Sequence, residues 1–384
     1  MRVLMLSKAL VAGTSQRKLE ELARCPGVEL TLVTPPYWQH DNGTKQMLEK
    51  LYTTGYQMIV TPMARNGNYH LHSYPKLGQI MREVQPEIIH IDEEPYNFAT
   101  FQAMRLARHH KARALFFTWQ NLYRDYPPPF RQMELYNYKH ADAALAGNRE
   151  AVDVLRRKGY KKSVRVIPQF GFDTEIYKRS DPRPPRAPDA PFTLGFLGRL
   201  VETKGLVTTI EALTHLPDRC QAVFVGDGPM KSVLEEEAAR LGVSQRVTIK
   251  PGVPTYEAPR ILEAFDVHVL PSRTFPNWKE QFGRTLAEAM ACETPVIGSD
   301  SGEIPYVLDN AGLIFPEGNA QELAARVRQL LDDPKLYSTL AARGRQRVLD
   351  NYTQGQIARQ TFEVYQEILA GENKSQGIEN GMVP

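Results

Sequence analysis

The chain has 384 residues, which fits two domains of ordinary size with room for two full cores. Its composition, 42% hydrophobic and 24% charged, excludes a disordered chain, a collagen, a coiled coil and a membrane channel. The net charge of +3 hides an asymmetry: residues 1–191 carry 28 Lys and Arg against 19 Asp and Glu, a net of +9, and the remainder is mildly acidic.

In chain order, the first twelve residues, MRVLMLSKALVA, superficially suggest a signal peptide, but Ser7 and Lys8 break the apolar run. Val3–Leu6 is read instead as a short buried strand. Further strands are expected at Glu29–Val33, Gln57–Val60, Glu87–Ile91, Ala114–Phe117, Ala143–Leu145 and Val164–Ile167, with helices at Thr14–Arg24, Asn97–His110 and Arg149–Lys158 between them. Residues 179–191 are proline-rich and read as a stiff linker. Beyond it strands are expected at Phe192–Leu197, Gln221–Val225, Val247–Ile249, Val267–Leu270, Pro295–Gly298 and Gly312–Phe315. Helices at Leu206–His215, Met230–Leu241, Pro259–Ala264 and Phe282–Ala291 separate them.

This alternation predicts an α/β protein with parallel sheets built from right-handed crossovers. Its recurrence predicts two Rossmann-like domains, residues 1–178 and 192–351, facing a central cleft. No apolar run approaches the roughly 20 residues needed to span a bilayer. Cys25, Cys220 and Cys292 are far apart and odd in number, which argues against a disulfide framework and for a reducing, cytoplasmic compartment.

A nicotinamide-dependent dehydrogenase is a poor reading. The first loop, SKALVAGTSQRK, has one glycine, Gly13, and the second strand ends in Thr34-Pro35-Pro36 with no carboxylate for a ribose. The basic bunches Arg105–Arg113 and Arg156–Arg165 read equally as an anionic-surface footprint or as solvated helix faces. No nucleic-acid motif accompanies them. His70 and His72 form an H-x-H without a third ligand, so no metal site is expected.

Three motifs in the second half carry chemistry. Gly198-Arg199 ends a strand and Lys204-Gly205 follows; two cations five residues apart can clamp a diphosphate. Gly226-Asp227-Gly228-Pro229 lets backbone approach a ligand, or is a plain tight turn. Glu280 and Glu288 are eight positions apart around Phe282-Gly283-Arg284-Thr285, where a helix N-terminus would offer free N–H groups to a phosphate. With a helix starting near Phe282, the carboxylates would lie about 12 Å apart along the axis.

With these residues the chain resembles glycosyltransferase family 4, retaining enzymes of the GT-B fold that use nucleotide-diphosphate sugars. The resemblance rests on GFLGRLVETKG (195–205), VFVGDGPM (223–230), FDVHVLPS (265–272), EQFGRTLAEAMACETPVIGSDSG (280–302) and AGLIFPEGN (311–319). VRVIPQFGFD (164–173) resembles the domain-crossing strand, and Tyr352–Leu369 the C-terminal helix that returns to the first domain, leaving 371–384 as a flexible tail.

The resemblance implies that Arg199 and Lys204 neutralise the departing diphosphate, that Glu280 meets the donor sugar, and that Glu288 binds the ribose. It also implies that Phe282 and Gly283 present N–H groups, and it matches Gly13 to the first domain's glycine-rich loop. The family often has a histidine after the fifth strand; here stand Trp119, Gln120 and Asn121, with Gln120 or Asn121 as the replacement donor to the sugar. Trp119 reads as a sugar platform or as core. Asp92 and Glu93 read as acceptor contacts or as a solvated acidic loop.

The expected partners are a nucleotide-sugar donor, UDP-sugar favoured over GDP- or ADP-sugar, and a glycan, lipid or small-molecule acceptor. Contact with an anionic membrane face through the basic half is a further expectation; nucleic acid and a separate cofactor are not expected. A nucleotide-sugar 2-epimerase and a non-catalytic nucleotide-sugar-binding protein are the rival readings.

Overall fold

The computed structural model describes residues 1–41, 43–181, 183, 187 and 189–371. The chain forms two compact units, Met1–Gly171 joined by the chain from Gln354 onward, and Phe172–Thr353.

The first unit carries β1 (Arg2–Leu6), β2 (Glu29–Thr34), β3 (Tyr37–Gln39), β4 (Lys45–Met47), β5 (Gln57–Val60), β6 (Ile88–Ile91), β7 (Arg113–Thr118), β8 (Ala143–Ala146) and β9 (Ser163–Val166). Seven of these form a parallel sheet in the order β5-β2-β1-β6-β7-β8-β9; β3 and β4 pair as a separate antiparallel hairpin. Its helices are α1 (Arg17–Ala23), α2 (Leu77–Val84), α3 (Phe98–His109), α4 (Phe130–His140) and α5 (Arg149–Arg157).

A strand covered on both faces reads as a continuous apolar run, and β1 shows why. Leu4 and Leu6 point into one core with Ile89, Ile91, Phe116 and Met104. Val3 and Met5 point into the opposite core with Leu19, Leu115 and Phe117. That second core is closed by the C-terminal helix, which contributes Ile357, Val364, Tyr365 and Ile368.

The second unit carries β10 (Phe192–Leu197), β11 (Cys220–Val225), β12 (Val247–Lys250), β13 (Val267–Leu270), β14 (Val296–Ser299) and β15 (Leu313–Phe315), a parallel sheet in the order β12-β11-β10-β13-β14-β15. Its helices are α6 (Val207–Leu213), α7 (Lys231–Arg240), α8 (Ala258–Ala264), α9 (Arg284–Ala291), α10 (Ile304–Leu308), α11 (Ala320–Asp332) and α12 (Pro334–Asn351). The returning helix, α13, is Gln354–Ala370. In both sheets the strand order reverses beside the first strand, between β1 and β6 and between β10 and β13. Such a switch point opens a crevice at the carboxyl ends of the strands.

Four expectations change. The chain enters the second unit at Phe172, not after 178, because the segment is bonded there: Phe172 N–H donates to the Tyr352 carbonyl (2.8 Å) and Arg345 donates to the Tyr177 carbonyl (2.7 Å). Arg183, inside the expected linker, is held by Asp266 at 2.8 Å. The expected helix Thr14–Arg24 starts only at Arg17, after two 3-10 turns. The helix expected from Phe282 starts at Arg284, so Glu280 precedes it in a loop and the axial spacing does not apply. The β3–β4 hairpin, α2, α4 and α10 to α12 carry no expectation from sequence. Pro182, Pro184, Pro185 and Pro188 of the linker, and 372–384 of the expected tail, lie outside the described residues.

Candidate functional site

In the second unit, two loops meet at the carboxyl ends of β10 and β11. The Gly198 N–H donates to the Val225 carbonyl and the Gly226 N–H to the Lys250 carbonyl, both at 3.0 Å. A Cβ on Gly226 would lie 1.8 Å from the Gly198 oxygen, so this glycine is required by loop-on-loop packing. Gly228 packs the same way on the Leu200 carbonyl. Arg199, just past the end of β10, is exposed.

A 3-10 turn, Glu202–Lys204, then delivers Lys204 to Glu280, with Nζ 2.6 Å from Oε2. Ser272, just past β13, donates to the same carboxylate oxygen at 2.8 Å. The Lys204 ammonium also lies 5.2 Å from the Trp278 ring centre. Glu280 is 7% exposed.

Gly283, at φ 79°, turns the chain from this loop into α9. Phe282 is buried against Phe172 (centroids 6.3 Å apart) and Tyr352 (5.3 Å), which anchors the turn. On α9, Arg284 donates to Glu288 at 2.8 Å, across one helical turn. Burial pushes the Glu288 carboxyl up, against the pull of Arg284. Tyr177 lies against this pair and its phenol is pushed up, first by burial and then by Glu288. Thr285 is turned inward: its hydroxyl is 3.0 Å from His268 Nε2. Burial lowers the His268 imidazole to about 3, so the ring is neutral.

In the first unit the predicted residues are more deeply engaged than their sequence suggests. Gly13 gives its N–H to Glu49 Oε2 (2.8 Å), and a Cβ there would collide with Leu51. Its amide is therefore not presented as an open phosphate loop. Asp92 accepts from Ser7 (2.7 Å) and from Gln169 (3.0 Å). Glu93 meets Lys8 and lies 3.3 Å from His72 Nε2. Burial raises the Glu93 carboxyl, but Lys8 and His72 outweigh it and hold it at about 2.

Glu94 accepts from the Thr118 hydroxyl (2.6 Å) and the Trp119 N–H (2.8 Å), yet burial still raises it to about 7. Asp92 and Glu93 are 2% exposed, which corrects the reading of a solvated acidic loop.

Trp119 donates to Gln169 (3.0 Å), stacks on Phe170 at 5.6 Å and lies on Gly147, where a Cβ would sit 2.1 Å from the indole. This seating favours the core reading over a sugar platform. The Gln120 side chain donates to the Leu122 carbonyl and accepts from Lys158; Asn121 reaches Glu150 at 3.4 Å. Gln169 could not be singled out from sequence, because its role depends on contacts 50 and 77 residues away.

His70 packs among Tyr96, Tyr126 and Phe130, and among the described residues no group of three His, Cys, Asp or Glu is placed to hold a metal ion. Much of the basic charge is spent within the unit: Arg113 on Asp142, Lys158 on Glu134, Arg165 on Glu367.

The model of the Glycosyltransferase Family 4 domain matches residues 16–175, and that of glycosyl transferases group 1 matches residues 178–347. The chain belongs to glycosyltransferase family 4. Among family relatives, the chain is 28% identical to the alpha-D-kanosaminyltransferase of Streptomyces kanamyceticus over 63% of its length. It is 30% identical to the alpha-maltose-1-phosphate synthase of Mycolicibacterium smegmatis over 60%. The match spans 64% of the length of each of these relatives.

The fold is that of solved glycosyltransferase structures. The Anabaena protein HepE in complex with UDP matches with a TM-score of 0.72 at 19% identity, over 96% of this chain and 100% of that one. The sucrose-phosphate synthase of Thermosynechococcus elongatus matches with 0.66 at 19% identity, over 97% and 100%. Both share the two Rossmann-like domains of the GT-B fold. Among the described residues no helix is long and apolar enough to cross a membrane.

Proposed function

We propose that the protein transfers a hexose-type sugar from a nucleotide-diphosphate donor to an acceptor hydroxyl with retention of anomeric configuration. The observation that carries this is the Lys204–Glu280–Ser272 cluster at the β10/β13 switch point, with Arg199 exposed just past the end of β10. Lys204 and Arg199 stabilise charge as it develops on the leaving diphosphate. Glu280 orients Lys204 and accepts hydrogen bonds from the sugar hydroxyls. Backbone N–H groups at the start of α9, past Phe282 and Gly283, face the sugar or phosphate. Glu288, held by Arg284, accepts from the ribose.

In the transfer, the bond from the anomeric carbon to the diphosphate oxygen breaks and the bond to the acceptor oxygen forms on the same face. The acceptor proton goes to the departing diphosphate. No separate cofactor is assigned. A UDP-sugar is the favoured donor, supported by the UDP-bound structures of the same fold. Acceptor binding belongs to the first unit, and its basic surface is assigned peripheral contact with an anionic membrane face. Failure to sediment with anionic liposomes at low salt would remove that contact.

Thermal-shift titration with UDP-, GDP- and ADP-glucose tests the donor. Stabilisation by one of them in the wild type and its loss in Lys204→Ala is expected; no stabilisation by any nucleotide sugar overturns the proposal.

A further inference from the structure

The two units repeat one constellation that no sequence motif announces. Past β10, Lys204 pairs with Glu280 and its ammonium lies 5.2 Å from the centre of Trp278. Past β1, Lys8 pairs with Glu93 and lies 5.4 Å from the centre of Trp38. The supporting strands correspond: β1 and β10 are the first strands of their sheets, and β6 and β13 are the neighbours across the reversal of strand order.

Exposure follows the same gradient. The lysine side chains are 20% and 15% exposed, and their carboxylate partners 10% and 0%. In each unit the cation is the outer member and the carboxylate the inner one. Taking such a pair out of water is expensive and stabilises a fold little, so its placement at a ligand crevice points to recognition.

The two sites differ in charge. Past β10 the second unit also carries Arg199, an exposed cation that the proposed function gives to the diphosphate. In the first unit Lys8 and Lys18 face Glu93 and Asp92, with the Lys18–Asp92 pair at 3.9 Å. His72 joins them, its Nε2 3.3 Å from Glu93, so each of these basic groups is already engaged by a carboxylate. An ammonium so balanced still donates hydrogen bonds to hydroxyl oxygens.

We propose that Lys8 anchors the acceptor, and that the acceptor offers it the hydroxyls of an uncharged, hydroxyl-rich ring, a saccharide, rather than a phosphate or carboxylate. This rests on the glycosyl-transfer reading and specifies its acceptor class. Glu93 and Trp38, the latter only 4% exposed, position the ammonium and do not themselves touch the ring.

The three tryptophans, Trp38, Trp119 and Trp278, make the two units separately readable. In full-length protein labelled with fluorotryptophan, the ¹⁹F line of Trp38 is expected to shift with methyl hexopyranosides in the presence of UDP. The line of Trp278 is expected to shift with UDP-glucose. Lys8→Met should weaken pyranoside binding about tenfold, the loss of one charge-assisted hydrogen bond, and Lys8→Arg should recover part of it. If Lys8→Met does not fold, the wild-type shifts decide. A moving Trp278 line with a Trp38 line indifferent to every pyranoside overturns the acceptor site alone. Tighter binding of hexose phosphates at Trp38, or undiminished pyranoside binding in folded Lys8→Met, overturns it as well. Two unmoved lines overturn the donor reading together with it.

Discussion

Lys204 Nζ and Glu280 Oε2 lie 2.6 Å apart although 76 residues separate them in the chain. The carboxylate holds the ammonium at the end of β10, and Ser272 fixes the carboxylate in turn. Preorganised donors of this kind cost no reorganisation when charge develops. Removing one typically lowers turnover by 10²–10³, or about 3 kcal/mol of barrier. Lys204→Ala is expected to lose roughly 100-fold or more in turnover, and Arg199→Ala to follow it. Near-normal steady-state release of the nucleotide diphosphate in both variants would remove them from the site.

The proposed reaction gives Glu288 a different part: at the ribose, away from the bonds that break and form, it would contribute to ground and transition states alike. Glu288→Gln should raise the donor KM about tenfold and change kcat little. A fall in kcat at unchanged KM would assign it to the chemistry instead.

Gly226→Ala tests the packing of the donor-side loops. The new Cβ would sit 1.8 Å from a backbone oxygen, which no side-chain rotation relieves, and φ at this position is 156°. A loss of more than about 2 kcal/mol in chemical denaturation is expected. A variant as stable as the wild type would show that the loops can separate.

Glu94 predicts an unusual pH dependence. Folded, it keeps its proton to about pH 7; unfolded, it loses it near the ordinary carboxylate value of roughly 4.3. Between these values the folded chain holds more protons, so this contribution to stability falls as pH rises. Glu93, held at about 2, acts in the opposite sense: its contribution is complete above the ordinary carboxylate range and is lost as pH falls toward 2. Thermal melts of Glu94→Gln from pH 4.5 to 7 should therefore show a smaller decline, or a larger rise, with pH than wild type. Parallel curves would place the Glu94 titration outside this range.

Tyr365 fastens the returning helix. Its hydroxyl lies 2.7 Å from His90 Nδ1 in the core beneath the Asp92 loop, and burial lowers the imidazole to about 4. Tyr365→Phe strands a buried ring nitrogen, at a cost of about 1–3 kcal/mol. Urea denaturation measures it; an unchanged midpoint would mean that the nitrogen finds another partner.

The central strands were legible because each is a short apolar run covered on both faces, and even with the more exposed β5, β9 and β12 the strands differ from expectation mainly by a residue at their ends, apart from the hairpin. That hairpin, Tyr37–Gln39 with Lys45–Met47, was not legible: three residues per strand leave too little alternation to count. The helix at Arg284 was displaced by two residues because Gly283 supplies the turn, and a positive φ cannot be read from the letter alone. The sequence alone assigns no site role to Trp278, Tyr177, Gln169 or Lys8 for a common reason: each owes its place to partners far along the chain or in a neighbouring element.

By itself, the sequence determined the α/β class, the two-fold recurrence and the family, and it singled out Arg199, Lys204, Glu280 and Glu288 as the candidates on which the proposed function rests. All of these are carried by local periodicity or by contiguous motifs. The tertiary structure decided where one unit ends and the other begins, since hydrogen bonds from Phe172 and Arg345 override the proline signal downstream. It also decided that the basic half is no uniformly positive surface. Arg113, Lys158 and Arg165 are paired with carboxylates 29, 24 and 202 residues away, and charge is neutralised by distance in space, which a linear count does not contain.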